Sequence, residues 1–239
     1  MSAVPTPSSQ PEIPALPAPA EAPRGADATG ERLLQAAHEL LYERGGGPVA
    51  ISEVCARAYA NVAMVKYCFG NKDGLLLALS MRITGSFRAD FERLAAQELP
   101  WREKLERHIA GIVWNYLRYP YINRLLADQL RDADEPGTRA LSESFAAPLG
   151  AFHRQLLAEA REAGEVRDVD PVLFFFSVVG MCEFIFSARG WLVHGFAQAL
   201  DDDFVDRYVE HVVRLVLAGI ERGGREASVV RSARERRHR

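Results

Sequence analysis

The stretch ISEVCARAYANVAMVKYCFGNKDGLL, residues 51–76, decides how the chain is read. Ile51, Val54, Cys55 and Ala58 recur at i, i+3, i+4 and i+7, so a short helix with one apolar face is expected over 51–58. Asn61 is a good N-cap for a second short helix over 62–69, and Gly70 suits the residue just past its end. Asn71 caps a third helix that runs through Leu75, Leu76 and Leu77 to about Gln97. Two short helices joined by a tight turn form a helix-turn-helix, whose second helix fits the major groove of DNA.

Such a pair cannot bury a core alone. The helix it packs on is expected just upstream, capped by Thr29, with Leu33, Leu34, Ala36, Ala37, Leu40 and Leu41 at helical spacing and Gly45-Gly46-Gly47 as its stop. Residues 1–26 hold seven prolines and little to bury. They read as a disordered or polyproline-like Pro/Ala-rich tail.

Downstream, prolines and glycines mark long helices over about 101–119, 121–132, 138–163, 171–194 and 201–222. Asp170-Pro171 is a helix-opening pair. No series of strands and no repeat is visible. The fold class expected is all-α: a three-helix, helix-turn-helix domain over 27–77, then a helical body over 78–222. A basic tail, 223–239, follows with six arginines, a solvated segment suited at most to weak, salt-sensitive contact with a polyanion.

The bulk numbers exclude several classes. With 239 residues, 48% hydrophobic and 26% charged, the chain has ample apolar material for a core. A net charge of −3 means that any nucleic-acid contact comes from a local surface. Cys55, Cys68 and Cys182 lie far apart, and no HExxH or Cys/His cluster occurs. No metal or other cofactor is therefore expected, and the cysteines fit a reducing cytosol. The apolar run Val172–Cys182 is too short to span a bilayer and no signal peptide is evident, so a cytoplasmic protein without a membrane span is expected.

The residues Ala36-Ala37, Leu40-Leu41, Val54-Cys55-Ala56 and above all Lys66-Tyr67-Cys68-Phe69-Gly70-Asn71-Lys72 resemble the DNA-binding domain of the TetR family of bacterial transcriptional regulators. The resemblance covers about 50 residues, Thr29–Leu77; the rest matches only in being helical. Four positions depart from the family pattern. Tyr59 stands where glycine is usual in the turn, and a bulky residue at positive φ costs on the order of 1 kcal/mol. Cys68 replaces a common histidine. Lys66 adds a charge, and Ala50 replaces the usual Ser or Thr cap.

DNA recognition is expected from Asn61, Val62, Ala63, Lys66, Tyr67 and Lys72. Val62 and Ala63 suit a thymine methyl, and Lys66 suits a guanine edge or a phosphate. Asn61 and Lys72 sit at helix N-termini, which favour phosphate. By resemblance Lys72 is the family's phosphate-binding lysine. Residues 28–80 balance five basic against five acidic side chains, so binding relies on placement and on doubling of contacts.

The resemblance also implies a homodimer through the last two helices and a near-palindromic double-stranded operator. Phe204, Tyr208, Val212 and Val216 are the expected interface, because the apolar face they join is too wide for a helix with one buried side. It further implies a ligand-responsive regulator, most simply a repressor, whose body takes a small apolar or amphipathic effector. Trp114, Tyr116, Tyr121, Phe145, Phe152 and Phe175 are the candidate walls, with His108, His153 and Glu183 as polar anchors. The competing reading is a helical small-molecule-binding protein or enzyme that has lost DNA binding, motivated by the substituted turn and Cys68. No nucleophile–base pair, paired carboxylates or phosphate loop supports catalysis.

Overall fold

The computed structural model describes residues 13–18 and 26–222. Eleven α-helices follow in order: α1 Ala26–Glu43, α2 Ile51–Arg57, α3 Val62–Phe69, α4 Lys72–Ala95, α5 Trp101–Arg118, α6 Ile122–Gln129, α7 Pro136–Leu141, α8 Ala147–Glu162, α9 Pro171–Ser187, α10 Arg189–Phe196 and α11 Asp202–Ile220. An isolated bridge between Val166 and Glu221 is the one β contact among the described residues. The all-α class is as expected.

Two apolar cores are strung on α4. The first joins α1–α3 with Leu75, Leu79 and Ile83 of α4, and takes in Tyr119, Tyr121, Ile122 and Leu125 from the α5–α6 corner. The second joins Phe91 of α4 with α5, α8, α9 and α11. One 24-residue helix thus runs from the helix-turn-helix into the body, and the expected boundary at 77/78 falls inside it.

Four local expectations need correction. Helix α1 opens at Ala26, so Thr29 lies within it and accepts from Arg32 Nη2 instead of capping it. The helix expected over 138–163 opens earlier, with Pro136 in its first turn, and holds a π-turn over Ser142–Ala146. Pro148 is the cause: it has no N–H for the Ser144 carbonyl one turn back. Arg88 Nη1 donates to that carbonyl instead, at 3.2 Å. The helix expected to reach His194 stops at Ser187, and α10 continues it only after a 60° bend. Among the described residues, no single helix is long and apolar enough to cross a membrane.

The fourth correction concerns residues 13–18, which are not a solvated tail. They form an extended strap whose carbonyls accept hydrogen bonds from three separate elements. His38 Nε2 of α1 donates to Pro14 O at 2.7 Å, the Tyr119 hydroxyl to Ala15 O at 3.3 Å, and Arg82 Nη1 of α4 to Pro17 O at 3.1 Å. Leu16 packs on the first core. A proline-rich segment keeps its carbonyls as acceptors after losing its N–H donors, which suits this one-sided pairing. The rest of the N-terminal segment and the basic tail 223–239 lie outside the described residues.

Candidate nucleic-acid interface and effector cavity

Helix α3 is fixed by the caps expected for it. The Asn61 side chain accepts from Met64 N at 3.0 Å, and Asn71 accepts from Gly74 N at 2.8 Å. Gly70 between the helices has φ 78°, where a side chain would be strained. Gly74 is needed for a different reason: a Cβ there would lie 2.0 Å from the Phe69 carbonyl oxygen. Val65 is buried beneath the helix and Phe69 packs on the same core. Ala50, lacking a capping oxygen, leaves α2 with half of a capping box, in which Glu53 accepts from Ala50 N at 2.9 Å.

This scaffold leaves Asn61, Val62, Ala63, Lys66 and Tyr67 exposed together. Val62 is 59% and Tyr67 75% exposed, unusual for such side chains on a packed helix. Lys72, at the first position of α4, is half-buried and borders a cleft with Arg124 and Asp128. The other cations of the domain have partners on the same chain. Arg44 makes a bidentate pair with Glu53 at 2.6 and 3.0 Å, Arg57 pairs with Glu43 at 2.6 Å, and Arg32 donates to Ala58 O and Thr29. The Arg44 guanidinium, then the Ala50 N–H, hold the Glu53 carboxyl down at about 2. Lys66 and Lys72 have no ion-pair partner among the described residues, so the positive charge available on this side falls to them.

Sequence reasoning missed Tyr59 as a surface feature. Its φ is 50°, so the turn keeps the left-handed geometry that glycine would normally supply. The side chain is 94% exposed, so packing does not compensate the strain. It lies two residues ahead of Asn61, in the turn that leads into α3.

In the body, α4, α5, the π-turn with α8, and α9 line a cavity of about 140 Å³ that is open at one side. Phe87, Phe91, Ile112, Phe145, Leu149 and Phe175 give it apolar walls, and His108, Asn115 and Tyr116 are the polar groups within. Asp90 and Arg107 stand at the exposed rim. Of the expected wall residues, Tyr116, Phe145 and Phe175 line this cavity. Trp114 is turned partly to solvent, Tyr121 is buried in the first core, and Phe152 packs behind His108 within the second. Glu183 is absent from the lining and accepts from the Ser187 hydroxyl. The missed walls on α4 could have been suspected from Phe87, Phe91 and Leu94, spaced i, i+4, i+7.

His108 lines the cavity and His153 stands behind it, their Nε2 atoms 2.9 Å apart. Burial, then the neighbouring ring, drives the His108 pKa well below the ordinary histidine range, and burial lowers His153 as well. Both rings are neutral at pH 7. Among the described residues no group of three or more His, Cys, Asp or Glu side chains is placed to hold a metal ion.

The expected dimer residues are placed differently from one another. Val212 and Val216 are buried in the chain's own second core, at 1% and 5% exposure, and so cannot form an interface. Phe204 and Tyr208 are half-buried and stacked, with the Tyr208 hydroxyl donating to Met181 O at 2.6 Å. Helix α11 spends Val205, Val212, Val216, Leu217 and Ile220 on its own chain, while Phe204, Tyr208, Val209 and Val213 stay half-buried. Among the described residues an apolar surface is also left exposed on α9, where Leu173, Phe176, Gly180 and Phe184 form a stripe, with Trp191 and Leu215 alongside.

Comparison with known proteins agrees with this arrangement. Residues 33–79 match the model described as bacterial regulatory proteins, tetR family, and residues 98–224 match that described as tetracyclin repressor-like, C-terminal domain. The chain is 24% identical over 209 residues to the HTH-type transcriptional repressor NicS of Pseudomonas putida, covering 82% of this chain and 94% of that protein. Among solved structures it is similar to a TetR/AcrR-family regulator from Thermobifida fusca, with TM-score 0.63, 21% identity and coverage of 82% and 98%. It is also similar to the regulator FadR of Bacillus subtilis in complex with stearoyl-CoA, with TM-score 0.63, 18% identity and coverage of 80% and 98%.

Proposed function

The chain belongs to the TetR family of bacterial transcriptional regulators, and from that premise we propose that it is a dimeric, ligand-released repressor that reads a near-palindromic operator through α3. The observation that carries this reading is helix α4. Its first residues follow directly on the recognition helix, and Phe87 and Phe91 near its other end wall the cavity. A ligand that wedges these rings moves a helix whose far end carries α3.

Val62, Ala63, Lys66 and Tyr67 are the base-reading candidates in this scheme, with Asn61 and Lys72 at helix N-termini as phosphate contacts. Lys72 reaches phosphate from its half-buried position by extending its stem. The similarity to NicS, a repressor, favours repression over activation. The FadR complex with stearoyl-CoA supports a small-molecule effector as the class of partner.

Dimerisation rests on the α9 stripe, which leaves several large apolar side chains in water unless a second copy covers them. Ser177 and Gly180 within the stripe allow close helix approach, and the groove between α9 and α11, lined by Leu173, Met181 and Leu215, can receive side chains from the partner.

Selection of bound fragments from a random duplex pool, followed by sedimentation of the free protein, tests this reading. A symmetric site with half-sites about 34–36 Å apart and a dimer that Phe176→Asp dissociates are the expected results. Enrichment of no symmetric site, or a monomer in the wild type, contradicts it.

A further inference from the structure

The size and wiring of the cavity specify the chemistry of what it takes, given the effector reading above. Its volume of about 140 Å³ is close to that of an engineered apolar cavity, about 150 Å³, that admits a single benzene ring. A long acyl chain overfills such a space and would have to run out past the exposed rim at Asp90 and Arg107. The walls are chiefly aromatic and aliphatic, so an apolar ring fills them.

The polar end is set by the histidine pair. With 2.9 Å between the two Nε2 atoms, one proton is shared along that line, and either ring can be the donor. The Nδ1 of His153 decides between them. It is buried, has no hydrogen-bond partner and lies among the rings of Phe174 and Phe175, whose centroids are 5.2 and 5.7 Å from its own. If His108 donated, neutral His153 would carry its proton on Nδ1, a buried N–H with no acceptor. That is the rarer and costlier kind of orphan. If His153 donates, its orphan is only a lone pair, and His108 carries its own proton on Nδ1. That N–H has no partner among the described residues, on a side chain that is 5% exposed and lines the cavity.

We propose that the cavity binds a neutral, single-ring aromatic molecule bearing one hydrogen-bond acceptor, such as a carbonyl oxygen, which takes the Nδ1–H of His108. His153 acts as the positioning residue that fixes the tautomer. A carboxylate is disfavoured inside, because no cation faces it there. Arg107 stands at the exposed rim and donates to Glu103 at 2.5 Å, and Lys104, though buried, pairs with Glu159 and is absent from the lining. Burying an uncompensated charge costs far more than a lost hydrogen bond returns.

Calorimetric titration of the full chain with four probes tests this: acetophenone, toluene, benzoate and decanoate. Acetophenone is expected to bind about tenfold more tightly than toluene, the ratio that one hydrogen bond to a fixed donor gives. Benzoate and decanoate are expected to bind more weakly than toluene. In His108→Leu the preference for acetophenone over toluene should vanish while toluene still binds, which shows that the cavity has kept its shape. In His108→Gln, which restores an N–H donor, part of the preference should return.

Tightest binding by benzoate or decanoate, or an undiminished preference in His108→Leu, overturns the assignment. Should the variants fail to fold, the order of the four probes on the wild type decides alone. Operator affinity measured in the same samples separates this proposal from the effector reading. If acetophenone binds without weakening DNA binding, the effector reading fails and the ligand assignment stands. If decanoate releases DNA and no ring binds, the reverse holds.

Discussion

The two buried histidine sites of this protein differ in one respect, and that difference separates scaffold from binding site. His38, in the first core, has both ring nitrogens occupied. Its Nε2 donates to Pro14 O at 2.7 Å, and its Nδ1 accepts from the Tyr121 hydroxyl at 2.5 Å. The His108–His153 pair, in the second core, is closed only along one line, with His153 Nδ1 orphaned and His108 facing a cavity. Complete satisfaction is what a structural polar group shows. A buried network that stops short at a cavity wall is where a ligand completes the count.

Substitution should expose the contrast most strongly. His38→Leu strands the Tyr121 hydroxyl and the Pro14 carbonyl, and is expected to cost about 3 kcal/mol in urea unfolding. His153→Leu removes an orphan along with a partner and is expected to cost less than about 1 kcal/mol. Equal losses would erase the distinction drawn between the two sites.

Acid should act on both in the same direction. His38, His108 and His153 all have pKa values lowered chiefly by burial, so the unfolded chain binds more protons than the folded one below the ordinary histidine pKa. Their neutral forms contribute stability fully above about pH 6.5. As pH falls below that, each histidine still neutral in the folded state costs about 1.4 kcal/mol per pH unit. Melting between pH 7.5 and 5.5 checks the sign, and His153→Leu should flatten the slope. A wild-type protein that gains stability on acidification would contradict the neutral assignment.

A chain lacking residues 1–18 sharpens the scaffold half of the comparison. It loses the acceptors of His38 Nε2 and the Tyr119 hydroxyl and one of those of Arg82, which keeps its pairing with Glu31, though water can replace part of what is lost once the strap is gone. The expected loss is about 2 kcal/mol, with the His38→Leu penalty reduced in the truncated background, as coupled sites require. Additive penalties would show that the strap and His38 act independently.

The smallest expected effect concerns backbone. Tyr59→Gly relieves a residue at φ 50° that is 94% exposed, and should raise stability by about 1 kcal/mol. Strain kept on an exposed aromatic in the turn that leads into α3 points to a use, so operator affinity should fall in the same variant. A variant that is more stable with unchanged affinity would leave Tyr59 without a role in binding.

The helix-turn-helix was legible because its signals are local. Asn61, Gly70 and Asn71 each dictate a cap or a turn within four residues of themselves. The body was legible as helices but not as a site. Its cavity needs Phe87, His108, Phe145 and Phe175 to converge from four elements, and no spacing along the chain encodes that meeting. Helix α11 shows the same limit. Periodicity finds its apolar face but cannot tell burial against α5 and α9 from burial against a second copy, and Val212 and Val216 proved to be core. The strap was hidden because its bonds are made by main-chain carbonyls, which every sequence has.

The most direct test of the link between the two regions is the affinity of the full chain for its selected operator with the cavity empty and with it saturated by acetophenone. Fluorescence anisotropy of a labelled duplex would report it. A coupling of about 1.4 kcal/mol or more through α4, read as at least a tenfold weakening of DNA binding, is the expected result. Unchanged affinity with calorimetry showing the cavity filled would contradict it.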